Sequence, residues 1–103
     1  MGVIPLPYHK TSTMKKFIIE RKLPGAGNLT PEELSDMSRT SNGVITVLGK
    51  PYVWVESYVT EDKIYCIHEA ESENDIREHA SCASFPINSI EEIKAIIGPA
   101  TAW

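Results

Sequence analysis

Few side chains in this sequence are equipped for chemistry, and they crowd into its second half. Glu56 stands in the middle of the otherwise apolar run YVWVESYVT, Cys66 and His68 in KIYCIHEA, and His79 in NDIREHASCA. A carboxylate in so apolar a strand needs a counter-charge or a metal ion once it is buried. Left at an edge, it needs only water or a surface ion pair. His79 comes three residues after Ile76 and four before Ala83, near the apolar face of any helix over that stretch. An imidazole there is either a hydrogen-bonded core group or a ligand aimed at the neighbouring sheet. His68 poses the same choice. Cys66 and Cys82 are the only cysteines and lack the paired spacing of a zinc site, so each reads first as a small buried hydrophobe. There is no glycine-rich phosphate loop, nucleophile elbow or His-Glu-x-x-His pattern.

The elements that must position these groups follow from periodicity and punctuation. Phe17 to Leu23 alternates as a strand, with Phe17, Ile19 and Arg21 on one side and Ile18, Glu20 and Lys22 on the other. Pro24, Gly25 and Gly27 end it. Thr30, Pro31 and Glu33 form a capping box, and apolar residues then recur at helical spacing to Leu48 before Gly49, although Asn42 and Gly43 would also permit an end near Thr40. Tyr52 to Thr60 and Lys63 to Ala70 are strands with only Glu61 and Asp62 clearly between them, which is a hairpin. Ser72 caps a second helix that ends at Phe85-Pro86, and Ile90 to Ile97 supplies a last strand. This order predicts an α+β ferredoxin-like βαββαβ sandwich, an antiparallel sheet with two helices on one face.

Hairpin parity decides which candidates share a face. A two-residue turn pairs Val59 with Ile64 and sets Val53, Val55, Ser57 and Val59 beside Ile64, Cys66 and His68; Trp54, Glu56 and Tyr58 then lie with Tyr65, Ile67 and Glu69. A three-residue turn instead brings Glu56 to Cys66 and His68. The first gives the cleaner valine-rich core and is the expected register. Large side chains on both faces of these strands leave an apolar patch that two helices cannot cover, and a second copy of the chain is the simplest cover.

With 103 residues there is room for one domain, 14–103, preceded by a segment 1–13 that reads as a flexible extension or tag. A net charge of −4 with only ten basic residues gives no reason to expect nucleic acid or an anionic membrane surface as partner. No apolar run approaches the roughly 20 residues that span a bilayer, and no secretory signal is evident, so a reducing cytoplasm is the expected compartment.

The strings WVESYVTEDKIYCIHEA, IREHA and FPINSIEEIKAIIGPATA carry a resemblance. Through Trp54, Ser57, Tyr58, Asp62, Lys63, Tyr65 and Cys66, then His79 and Phe85-Pro86, the chain resembles the small bacterial nickel-binding ferredoxin-like proteins, from about Lys15 to Ala102. The resemblance implies a ferredoxin-like fold, a homodimer and, in at least some members, bound nickel. His79 matches the family pattern. Two positions depart from it: Glu56 stands where many relatives have histidine, and Ala83-Ser84 where they commonly have two glycines. A carboxylate in place of a strand imidazole favours a harder ion or removes the site.

The expectation is therefore a homodimer that binds a divalent transition metal, possibly nickel, through His79 and Glu56 with His68 or Cys66. The alternative is a dimeric α+β barrel enzyme in which Glu56 or His79 acts as general acid or base, and Trp54, Tyr58 and Tyr65 line the pocket of a small organic substrate.

Overall fold

The structure, a computed structural model, describes residues 14–102. The expected extension 1–13 lies outside the described residues. Strand β1 (Lys15–Lys22) alternates as its sequence demands, with Phe17, Ile19 and Arg21 buried and Ile18 exposed. A 3-10 turn at Ala26–Asn28 follows and docks on the β2–β3 hairpin: Leu23 N–H and Gly27 N–H donate to the carbonyls of Asp62 and Glu61, each at 2.9 Å.

Helix α1 (Pro31–Leu48) starts in the expected capping box, with Glu33 N–H donating to Thr30 Oγ1 at 3.1 Å and Thr30 N–H to the Glu33 carboxylate at 2.9 Å. It runs straight through Asn42 and Gly43 and stops at Gly49, whose φ of 63° is a left-handed conformation that glycine adopts without strain. Lys50 then bridges to Asp75 and Glu78 on the second helix, at 3.3 and 2.7 Å. Strands β2 (Tyr52–Val59) and β3 (Lys63–Ala70) meet across a turn in which Thr60 N–H donates to the Lys63 carbonyl at 2.9 Å. Helix α2 (Glu73–Ala83) takes Ser72 as its cap.

The last strand is shorter than its sequence suggests. β4 covers Ser89–Glu92 instead of Ile90 to Ile97. Its partner explains why: Glu92 already lies opposite Phe17 and Ile93 N–H donates to the Lys16 carbonyl, so among the described residues the ladder ends where β1 does. Ile96 and Ile97 are left 70% and 80% exposed.

The sheet order is β2-β3-β1-β4 with every pair antiparallel, which is the ferredoxin-like α+β fold. The helix-covered face holds the core of Phe17, Ile19, Tyr52, Ile64, Ala70 and Ile76. The other face carries the ion pairs Lys16–Glu69 and Lys63–Glu20 around an apolar band in which Ile18 sits opposite Ile67 and Tyr58 opposite Tyr65.

Candidate functional site

Near the turn the hairpin has the expected register, Val59 opposite Ile64, Ser57 opposite Cys66 and Glu56 opposite Ile67. Beyond Glu56 the register shifts, and Trp54 pairs with His68. Val55 is the extra residue of a β-bulge, and everything before it changes face. Tyr52 and Trp54 therefore point with Cys66 and His68 toward the helices. The expectation that Trp54 shares a face with Glu56 and Tyr58 is corrected by that one inserted residue. Trp54 Nε1–H donates to Ser57 Oγ at 2.9 Å, a bond that the bulge makes possible by bringing both side chains to one side.

Glu56 stays on the helix-free face, exposed, where it accepts a hydrogen bond from the Tyr58 hydroxyl that holds the phenol above its usual range. His79, Cys66 and His68 lie on the opposite, helix-covered face. The expected partnership of Glu56 with His79 is thus not formed within one chain: the sheet stands between them.

What the fold does bring together is a buried polar cluster. Tyr52 and His79 stack with ring centroids 4.9 Å apart, and His68 meets both rings edge-on at 5.3 Å. Burial pushes the Tyr52 phenol up, so it keeps its proton, and its hydroxyl hydrogen-bonds with His68 Nδ1 at 2.6 Å. His79 Nε2 lies 3.3 Å from the Ser41 carbonyl and 3.2 Å from its hydroxyl, and a carbonyl only accepts, so Nε2 carries the hydrogen. That leaves the lone pair on His79 Nδ1, which is buried and without a hydrogen-bond partner among the described residues. Desolvation holds both imidazoles below their ordinary values, His68 at about 3, with the Arg21 charge acting the same way; the Ser41 bond offsets part of the shift at His79.

Strand parity sets Arg21 beside Phe17 and Ile19, and the fold makes it a site residue that the sequence does not single out. It is 4% exposed, donates from Nε to Cys66 Sγ at 3.4 Å and from Nη1 to the Pro86 carbonyl at 2.8 Å, and its guanidinium carbon sits 5.5 Å from the centre of the Phe85 ring. These groups border a cavity of about 240 Å³ between α1 and the sheet. Its wall includes Trp54, Cys66, His68 and His79, while Tyr58 and Tyr65 lie on the far side of the sheet. Of the two acid–base candidates, only His79 reaches this space.

An imidazole lone pair, a second imidazole and a thiol are donor types that suit a borderline divalent ion such as nickel. The set is incomplete, since among the described residues no three His, Cys, Asp or Glu side chains are grouped to hold a metal ion. Fold and site together define a ferredoxin-like α+β protein with a mostly apolar cavity under its helices. The chain belongs to the family of SCO4226-like nickel responsive proteins, whose model matches residues 17–93. Its fold is similar to the crystal structure of SCO4226 from Streptomyces coelicolor A3(2), with a TM-score of 0.68 and 15% identity over 80% of this chain and 99% of that one. At that identity the likeness speaks for the fold alone. No curated protein matches the chain. Among the described residues no helix is long and apolar enough to cross a membrane.

Proposed function

We propose that this chain binds a divalent transition metal, nickel foremost, as a cytoplasmic homodimer that holds the ion as cargo or effector. The observation that carries this reading is His79 Nδ1, a buried lone pair with nothing to accept. Its opposite nitrogen is tied to Ser41, the outer contact that fixes the tautomer of metal-binding histidines. His68, with Nδ1 bonded to the Tyr52 hydroxyl, becomes a second ligand through Nε2 in the tautomer that leaves that nitrogen unprotonated. Cys66 is the remaining donor, in competition with Arg21. Further positions would be filled by water or by groups outside this cluster. Membership of a nickel-responsive family supports the choice of ion. The dimer is supported by the helix-free face, where Ile18, Val53 and Tyr58 are 36%, 44% and 51% exposed.

Isothermal titration of nickel and of zinc into tag-free protein tests the reading. Binding should be lost or strongly weakened in His79→Ala and kept in Glu56→Gln, with circular dichroism unchanged in both. Wild-type affinity in His79→Ala would refute the site.

A further inference from the structure

Arg21 presents a problem that nickel does not solve. Its guanidinium is buried, yet no carboxylate pairs with it among the described residues; its bonds are to a thiol and a backbone carbonyl. A guanidinium has five N–H donors, and here Nε and Nη1 each meet a neutral partner, a thiol and a carbonyl. A buried positive charge without an opposite charge is among the costlier features a fold can carry. A bound anion would relieve that cost.

The surroundings say what that is. The cavity wall contains Arg21 and no acidic residue. Both histidines there are neutral, so Arg21 supplies the only formal charge facing the space. Most of the remaining surface is apolar: Trp54 and Val59 from the sheet, Leu34 and Met37 from α1. A mostly apolar pocket with a few convergent polar groups is the ordinary design of a small-molecule site. Its volume, about 240 Å³, exceeds the roughly 150 Å³ that accommodates benzene. There is room for one ring and a short acidic arm.

We propose that the cavity beneath α1 binds a small organic carboxylate, its charged group on the Arg21 guanidinium and its apolar body against Trp54, Leu34 and Met37. The planar fork of Arg21 matches a carboxylate in two-point contact, and Phe85 keeps the guanidinium plane in place from behind. Ser57 and Ser41, which also border the cavity, offer hydroxyls to a second polar group on the ligand. This site needs no metal, although Cys66, His68 and His79 of the nickel reading line the same cavity.

The test titrates 3-phenylpropionate and its uncharged amide into full-length protein in EDTA, followed by calorimetry and by tryptophan fluorescence. The acid should bind saturably at one site per chain, and the amide roughly tenfold more weakly or less, the difference one charge-assisted contact makes. Arg21→Met should bring the acid down to the level of the amide and leave the amide nearly unchanged. Ser38→Trp, which fills the cavity from α1, should abolish both. If Arg21→Met does not fold, the acid-to-amide ratio in wild type decides alone. Equal binding of acid and amide, or no saturable binding of the acid at millimolar concentration, would overturn the proposal. Because EDTA is present throughout, failure here leaves the nickel reading standing, and the reverse also holds.

Discussion

Mild acid should destabilise the metal-free protein well before its carboxylates protonate, and His68 is the reason. The side chain is 2% exposed. Burial first, then the neighbouring His79 and Arg21, hold its imidazole at about 3, against roughly 6.5 in an unfolded chain. Between those values the unfolded state takes up a proton that the folded state refuses. Stability attributable to this group is therefore intact above about pH 6.5 and declines as pH falls toward 3, by about 1.4 kcal/mol per pH unit. From pH 7 to pH 5 the loss is about 2 kcal/mol, a large share of the 5–15 kcal/mol that holds a typical domain together. His79 is shifted in the same direction and adds to it. Glu20, held low by its bond to Lys63, acts only at lower pH. Urea titrations at pH 7 and pH 5, at one protein concentration, should show the midpoint falling by roughly 1 M or more. His68→Phe, which removes the titrating group and keeps a ring, should flatten the pH dependence. A wild-type midpoint that does not move between pH 7 and pH 5, or an equally steep dependence in His68→Phe, would refute the reasoning.

Other outcomes follow from the backbone and the open face. A Cβ at Gly27 would meet Glu61 Cα at 3.0 Å and the Thr60 carbonyl at 3.2 Å, backbone atoms that cannot swing aside, so Gly27→Ala should cost about 1–3 kcal/mol in chemical denaturation. Ser84 caps α2 with φ at 59°, a conformation that penalises any side chain; Ser84→Gly should stabilise the protein by roughly 0.5–1 kcal/mol, read as a higher melting temperature. Sedimentation at micromolar concentration should give twice the chain mass, and Val53→Lys with Tyr58→Lys should return it to one; a wild-type monomer would remove the dimer.

Much of this was legible from local chemistry. The alternation of Phe17, Ile19 and Arg21, the Thr30 capping box and the two-residue hairpin each depend on neighbours within a few positions, and each appears as expected. What could not be read depends on distant partners. The end of β4 is set by where β1 begins, some seventy residues away in the chain. The bulge at Val55 carries no glycine or proline to announce it, so strict alternation put Trp54 on the wrong side of the sheet. For the candidate site the division is similar. Parity after the turn separates Glu56 from Cys66 and His68, whereas the hydrogen-bond partners of the two histidines, Ser41 and Tyr52, come from other elements. Arg21 had a signal, a charged residue in phase with a buried face, which on its own does not distinguish a snorkelling chain from an uncompensated charge.

The bulge has a consequence beyond the cavity. β2 is an edge of the sheet, and a regular eight-residue edge offers a row of free N–H and C=O groups to any passing strand. Interrupting the pleat at Val55 breaks that row into two short pieces that no single incoming strand can match in register. The opposite edge, β4, is only four residues long. Among the described residues neither border therefore templates open-ended strand addition, and a protein with this much β-branched and aromatic sequence is steered away from fibrillar growth.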